Sequence, residues 1–137
     1  MGEESLPKIL VADDSEADRE LLRELFSGYS CVWLEATNGA EALAMVFTEE
    51  PDVVILDVRM PELNGWEVCR EVRQRASLAS VRILMLTSMG MRVNATTSPL
   101  FGADAYLDKP FDIDVMRETV AALVGQNGNC LKLCSEP

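Results

Sequence analysis

The chain has 137 residues with 48% hydrophobic and 26% charged side chains, which predicts one globular domain long enough to bury a substantial core. Its formal net charge of −11 argues against direct binding of nucleic acid, because such binding needs clustered Lys and Arg to contact phosphates. The chain contains no histidine, and this excludes a histidine base, a histidine metal ligand and a phosphohistidine on the chain itself.

Short apolar runs alternate along the chain with segments whose apolar residues keep helical spacing, a pattern that predicts five strand–helix units. The predicted strands span residues 8–12, 31–34, 53–56, 81–86 and 105–107. Clear helices are predicted at 16–26, 40–47, 66–72 and 113–123, with Asp14 or Ser15 capping the first and Asp112 capping the last. Strands and helices that alternate in this way form an α/β fold with a parallel sheet and helices on both faces.

The end of the chain is polar. We expect a domain over residues 1–125, followed by a polar tail at 126–137 whose residues 129–137 are mobile. Cys130 and Cys134 lie four residues apart in this tail and could pair or bind a metal, although no further ligand accompanies them.

Nothing in the sequence indicates a membrane or secreted protein. No apolar run approaches the length of a membrane span, and residues 1–7 lack a signal-peptide pattern. Cys31 and Cys69 occur in apolar patterns typical of buried thiols. We therefore expect a cytoplasmic protein without membrane contact.

Acidic residues follow two of the predicted strands directly. The run at 53–56 is continuously apolar, which is typical of a strand buried on both faces, and it leads into Asp57. The first strand leads into Asp13 and Asp14 in the same way. Because parallel strands end at one edge of the sheet, these carboxylates would meet there and favour a hard cation such as Mg²⁺. The backbone carbonyl of Arg59 could add a further ligand.

Two further strand ends bring hydrogen-bond donors to the same edge. Thr87 follows the fourth strand with a hydroxyl, and Lys109 follows the fifth with a positive charge suited to an anionic oxygen. A carboxylate nucleophile, Mg²⁺, an ammonium and a hydroxyl together predict phosphoryl transfer to Asp57. Each residue taken alone could be a helix cap, a strand end or a solvated surface charge, so the prediction depends on their joint occurrence.

This pattern resembles the receiver domain of two-component response regulators, the CheY-like family. The resemblance covers about residues 7–124 and implies a doubly wound, flavodoxin-like sheet with strand order 2-1-3-4-5. The segments that carry it are Leu10-Val-Ala-Asp-Asp-Ser, Asn38-Gly-Ala-Glu-Ala-Leu, Pro51-Asp-Val-Val-Ile-Leu-Asp-Val-Arg-Met-Pro-Glu-Leu-Asn-Gly, Leu86-Thr-Ser and Gly102-Ala-Asp-Ala-Tyr-Leu-Asp-Lys-Pro-Phe.

The resemblance implies a role for each matching acid. Asp57 would accept a phosphoryl group from a phosphohistidine on a sensor histidine kinase or a histidine phosphotransfer protein. It would lose that group by slow autodephosphorylation, so the chain would act as a switch rather than as a turnover enzyme. Asp13 and Asp14 would hold Mg²⁺ together with Asp57 and the Arg59 carbonyl.

Other matching residues would read out the phosphorylation. Lys109, which precedes Pro110 as at the family's cis peptide, would contact the phosphoryl group, and Thr87 would move toward it. Tyr106 matches the aromatic side chain that swings inward with the threonine, although it could also be an ordinary edge-strand aromatic. Signalling would then proceed through altered contacts with a downstream protein effector. The two side chains at positions that tune autodephosphorylation in the family are Arg59 and Met89.

One segment departs from the family pattern. The family's fourth helix follows the threonine strand, but residues 89–100 are irregular here and Thr96-Thr-Ser-Pro99 has poor helix chemistry. We predict a short or displaced helix, which a regular helix over 91–101 would contradict.

Three alternatives fit parts of the pattern. A receiver-like module that binds proteins without being phosphorylated would usually lack one of the acids, the threonine or the lysine. A hydrolase with an aspartate nucleophile would commonly place an acid two residues later, where Arg59 stands. A flavin-binding protein of this topology would place Asp13 and Asp14 against a phosphate. The chain could also be a receiver cut from a longer regulator or hybrid kinase.

Overall fold

The computed structural model describes residues 6–60, 62–87 and 102–134, which form a five-stranded parallel sheet flanked by helices. The strands are β1 (Lys8–Ala12), β2 (Val32–Ala36), β3 (Val53–Asp57), β4 (Arg82–Thr87) and β5 (Ala105–Asp108). Their order is β2-β1-β3-β4-β5, which confirms the predicted α/β fold and the strand order 2-1-3-4-5. The order reverses between β1 and β3, and a crevice therefore opens at the carboxyl ends of these two strands.

Helices cover both faces of the sheet. Within the described residues they are α1 (Glu16–Leu25), α2 (Gly39–Glu49), α3 (Gly65–Arg73) and α4 (Ile113–Gln126). Alternate residues of β3 serve the two faces: Val54 and Leu56 pack with α2 and α3, whereas Val53 and Ile55 pack with α1 and α4. The strand is thus buried on both faces, as its continuous apolar sequence predicts.

Side-chain caps determine where the helices begin after the strands. Of the two predicted caps of α1, Ser15 acts, with its Oγ accepting a backbone N–H of the first turn at 3.2 Å. Asn64 and Glu67 form a capping box at the start of α3, and Asp112 caps α4 as predicted. Because Ser15 supplies the cap, the carboxylate of Asp14 is not used in this role.

The predicted tail makes contacts with the rest of the domain. Within its described part, Lys132–Leu133 pairs in antiparallel fashion with Tyr29–Ser30. The N–H of Cys134 also donates to the carbonyl of Gly28 at 2.7 Å, and Leu131 packs against the core of α1 and α4. A two-residue strand is too short to show a period of alternation, which is why the sequence pattern did not indicate it.

The four cysteines are free thiols. Cys69 is buried, as predicted, whereas Cys31 is half-buried. Cys130 and Cys134 are both exposed and form no disulfide with each other.

The irregular segment at 89–100 lies outside the described residues. The short or displaced helix there therefore stays a prediction.

Gly39, the first residue of α2, lies against the loop before α3, where a Cβ atom would overlap the carbonyl oxygen of Leu63. We predict that Gly39→Ala lowers the free energy of unfolding by about 2–3 kcal/mol, because this overlap outweighs a gain of roughly 1 kcal/mol in helix propensity. Urea unfolding measures the change. Gly28→Ala is the control, since no atom lies within 4 Å of a Cβ built there. An unchanged midpoint for Gly39→Ala would contradict the close approach.

Candidate functional site

Three carboxylates meet in the crevice at the carboxyl ends of β1 and β3. Asp13, Asp14 and Asp57 each offer an oxygen, and these oxygens lie within 4.8 Å of one another. Asp13 is fully buried and Asp57 is 7% exposed, whereas Asp14 faces solvent. A cluster of oxygen donors at this spacing has the chemistry that a hard divalent cation requires.

The ammonium of Lys109 reaches this cluster from the end of β5. Its Nζ lies 2.9 Å from Asp13 Oδ2 and 3.3 Å from Asp57 Oδ2. The same atom also donates to Asp18 Oδ2 at 2.9 Å. Burial alone would lower the pKa of Lys109, but the hydrogen bonds to Asp18 and Asp13 outweigh it and raise the pKa. Lys109 is therefore a permanent cation.

A cis peptide precedes Pro110, as the resemblance implies. The backbone N–H of Lys109 donates to the carbonyl of Thr87 at 2.7 Å. This hydrogen bond joins the carboxyl ends of β4 and β5 at the residue that carries the ammonium.

The carboxyl group of Asp57 is held between opposing influences. Burial has the largest effect on the pKa of Asp57, and the negative charge of Asp13 acts in the same direction. Together they raise this pKa from 3.8 to about 6. Lys109 and the backbone N–H of Arg59, which lies 3.3 Å from Asp57 Oδ1, act in the opposite direction. Asp57 is consequently ionised at pH 7.5, but at a cost that a bound cation would reduce.

Thr87 and Tyr106 lie on neighbouring strands beside the acids. Thr87 is 3% exposed, and its hydroxyl donates to Asp108 Oδ1 at 3.0 Å. Tyr106 is half-buried, and its ring centroid lies 6.1 Å from that of Trp66. The tyrosine thus packs with the α2–α3 face of the core rather than lying on the surface.

The structure brings Asp13, Asp14, Asp57, Arg59 and Lys109 together in one cleft and adds Asp18, whereas Thr87 and Tyr106 do not line it. The cleft of about 320 Å³ is lined by Asp13, Asp14, Ser15, Asp18, Asp57, Arg59 and Lys109. The sequence places Asp18 in the first turn of a helix, where an acid is favourable for any helix. No strand ends at Asp18, so the reasoning that found the other acids did not reach it.

The raised pKa of Asp57 predicts how stability depends on pH. Between about pH 4 and pH 6 the folded protein binds a proton at Asp57 more tightly than the unfolded chain does, so this group costs stability increasingly as pH rises through that window. In metal-free buffer with a chelator, we expect Asp57→Asn to raise the free energy of unfolding by about 1–3 kcal/mol at pH 7.5 and by less at pH 4.5.

Urea unfolding at both pH values measures this difference. Asp114→Asn is the control, because Asp114 is exposed in α4 and its carboxylate pairs with Arg117 at 3.2 Å. A destabilised Asp57→Asn at pH 7.5, or an equal gain at both pH values, would contradict the electrostatic account.

Comparisons with known proteins agree on the family. The family model described as the response regulator receiver domain matches residues 9–121. The response regulator MprA of Mycobacterium leprae is 40% identical over 119 residues, which are 85% of this chain and 50% of that protein. A protein of Guillardia theta named a probable transcriptional regulator, ycf27, is 36% identical over 121 residues, which are 88% of this chain and 46% of that protein.

The chain thus spans about half the length of these curated relatives. One of them is named as a transcriptional regulator, and this name is in tension with the prediction that the chain binds no nucleic acid directly. The net charge of −11 describes this chain alone. Within the ranges that the structure describes, no helix has the length and apolar character needed to cross a membrane.

Solved structures share the fold over nearly the whole chain. The receiver domain of the Francisella response regulator 1452 matches with a TM-score of 0.80 at 29% identity, covering 88% of this chain and 98% of that chain. The chemotaxis protein CheY4 of Vibrio cholerae matches with a TM-score of 0.77 at 30% identity, covering 87% of this chain and 99% of that chain. By its sequence and its fold, the chain belongs to the response regulator receiver domain family of two-component systems.

Proposed function

We propose that this receiver domain is a switch that accepts a phosphoryl group on Asp57 in a reaction that depends on Mg²⁺. The donor is a phosphohistidine on a sensor histidine kinase or a histidine phosphotransfer protein, since the chain has no histidine of its own. The observation that carries the proposal is the position of Asp57, which lies among Asp13, Asp14 and the ammonium of Lys109 in a cleft.

The residues of the cleft fit Mg²⁺ by charge and by donor type. Asp13, Asp14 and Asp57 would hold the ion through carboxylate oxygens, with the backbone carbonyl of Arg59 as a further oxygen ligand. Mg²⁺ would neutralise charge on the transferring phosphoryl oxygens. A magnesium site at this position would also explain why three carboxylates lie so close together beside a single ammonium group.

Asp57 is the nucleophile of this proposal. A carboxylate oxygen attacks phosphorus in line while the bond from phosphorus to the histidine nitrogen breaks, and the imidazole keeps the bonding electron pair. The reaction needs the ionised carboxylate, which both Lys109 and the N–H of Arg59 favour. Lys109 then stabilises the anionic phosphoryl oxygens through charge-assisted hydrogen bonds.

Thr87 is the first residue to respond to phosphorylation in this proposal. Its hydroxyl donates to Asp108 in this structure, and in the phosphorylated protein it would donate to a phosphoryl oxygen instead. Tyr106 lies one strand further out, opposite Met85, and packs on Trp66, so a shift of the threonine end of β4 would have to pass through β5 to change the space available to the ring. The altered surface binds a downstream protein effector differently.

Autodephosphorylation returns the switch to its resting state. Arg59 lines the cleft two residues after Asp57, and its side chain would affect how an attacking water approaches the phosphoryl group. The other tuning position, Met89, lies outside the described residues. We place the whole cycle in the cytoplasm, where histidine kinases present their phosphohistidine.

The test is a reaction with acetyl phosphate followed by intact mass measurement. We expect the wild-type protein to gain one phosphoryl group in the presence of Mg²⁺ and none without it. Asp57→Ala should gain none, because it lacks the nucleophile. Asp114→Ala, which removes an exposed carboxylate of α4, should react as the wild type does.

A phosphohistidine donor protein resolves a negative result. If the wild type gains no phosphoryl group from either acetyl phosphate or a phosphorylated histidine phosphotransfer protein, the proposal fails. The chain is then a receiver-like module that binds proteins without being phosphorylated.

Metal binding is testable without phosphorylation. We expect Mg²⁺ at tenfold its dissociation constant to raise the free energy of unfolding by about 1.4 kcal/mol, because it binds the folded cluster and relieves its repulsion. Asp13→Asn should lose most of this increment, and KCl at the same ionic strength serves as the salt control. An equal response to both salts would show screening rather than binding.

A further inference from the structure

We propose that Asp18 is a positioning residue that restrains Lys109 in the resting state and thereby slows the phosphorylation of Asp57. The inference rests on the proposed function. Lys109 Nζ lies 2.9 Å from Asp18 Oδ2, closer than the 3.3 Å that separates it from Asp57 Oδ2. Asp18 belongs to the first turn of α1 and lies outside the three-carboxylate cluster that would hold Mg²⁺.

The ammonium group has no spare donor in this arrangement. Lysine carries three N–H bonds, and here Asp13, Asp18 and Asp57 each accept from Nζ. A phosphoryl oxygen can therefore gain a hydrogen bond from Lys109 only when one of these carboxylates loses its own.

The exposure of the three carboxylates indicates which of their hydrogen bonds to Lys109 is released. The side chains of Asp13 and Asp57 are 0% and 10% exposed, so water replaces a lost partner poorly there, whereas the side chain of Asp18 is 37% exposed. Releasing Asp18 costs least because its carboxylate can be hydrated. The Asp18 contact thus stabilises the resting state and is weakened where charge develops on the phosphoryl group, which slows the transfer.

The experiment compares rates of phosphorylation by acetyl phosphate at saturating Mg²⁺. We expect Asp18→Asn to react roughly threefold to tenfold faster than the wild type, as loss of one partly exposed charge-assisted contact implies. Asp18→Glu, which keeps the anion, should return the rate toward that of the wild type. Glu16→Gln is the matched control, because it removes an exposed acid from the same helical turn.

The same substitution in a Lys109→Gln variant tests whether Asp18 acts by positioning Lys109 or by repelling the anionic phosphodonor. In Lys109→Gln, the Asp18→Asn change should leave the slow residual rate unaltered, because Asp18 acts through the ammonium. Repulsion would persist without the lysine and would still give an acceleration. Circular dichroism and urea unfolding establish that each variant folds, and Mg²⁺ titration of Asp18→Asn should give nearly the affinity of the wild type.

The outcomes separate this inference from the proposed function. If the wild type is phosphorylated but Asp18→Asn is no faster, or if it is also faster in the Lys109→Gln background, the role of Asp18 is overturned and the function of Asp57 stands. If the wild type accepts no phosphoryl group from any donor, both are overturned.

Discussion

The ammonium of Lys109 is the interaction on which the acidic edge of the sheet depends. Asp13 is fully buried and Asp57 nearly so, and two ionised carboxylates at this distance would repel strongly in a region of low dielectric. Lys109 lies within 3.3 Å of both and compensates them in part. The pKa of Asp57 nevertheless stays near 6, because burial, together with the charge of Asp13, outweighs the opposing effect of Lys109.

This residual imbalance suits a site that works with a divalent ion. A fully neutralised cluster would have little affinity for Mg²⁺, and a cluster without Lys109 would bear a larger cost in stability. The parallel sheet makes the arrangement possible, because β1, β3 and β5 all end at the same edge and place side chains from distant parts of the sequence together. At that edge, a cis peptide bond joins Lys109 to Pro110.

The sequence predicts the acids at this edge of the sheet well, because a local pattern marks the end of each strand. A buried parallel strand needs an unbroken apolar run, so the polar residue at its end is conspicuous, as at Asp57 and Asp13. Asp18 is different, since an acid in the first turn of a helix is common for reasons of capping and dipole alone. Its contact with Lys109 depends on how α1 is oriented over the sheet, and no local pattern specifies that orientation.

The same limit explains the chain end. Its antiparallel pairing with Tyr29–Ser30 involves only two residues on each side, which are too few to show a hydrophobic period in the sequence. Leu131 does contribute an apolar contact, but two leucines in a short terminal stretch are too weak a signal to predict that it pairs with the domain.

Both donors that a phosphoryl group would need already have carboxylate partners. Lys109 donates to Asp18, and Thr87 donates to Asp108. Asp18 and Asp108 lie outside the three-carboxylate cluster, whereas the other two partners of Lys109, Asp13 and Asp57, belong to it. A phosphoryl group must therefore compete with protein carboxylates for each donor, and its gain is the difference between two charge-assisted hydrogen bonds rather than the whole of one. Under the proposed function, such competition would keep the resting and phosphorylated conformations closer in free energy than free donors would, as a switch that must also turn off requires.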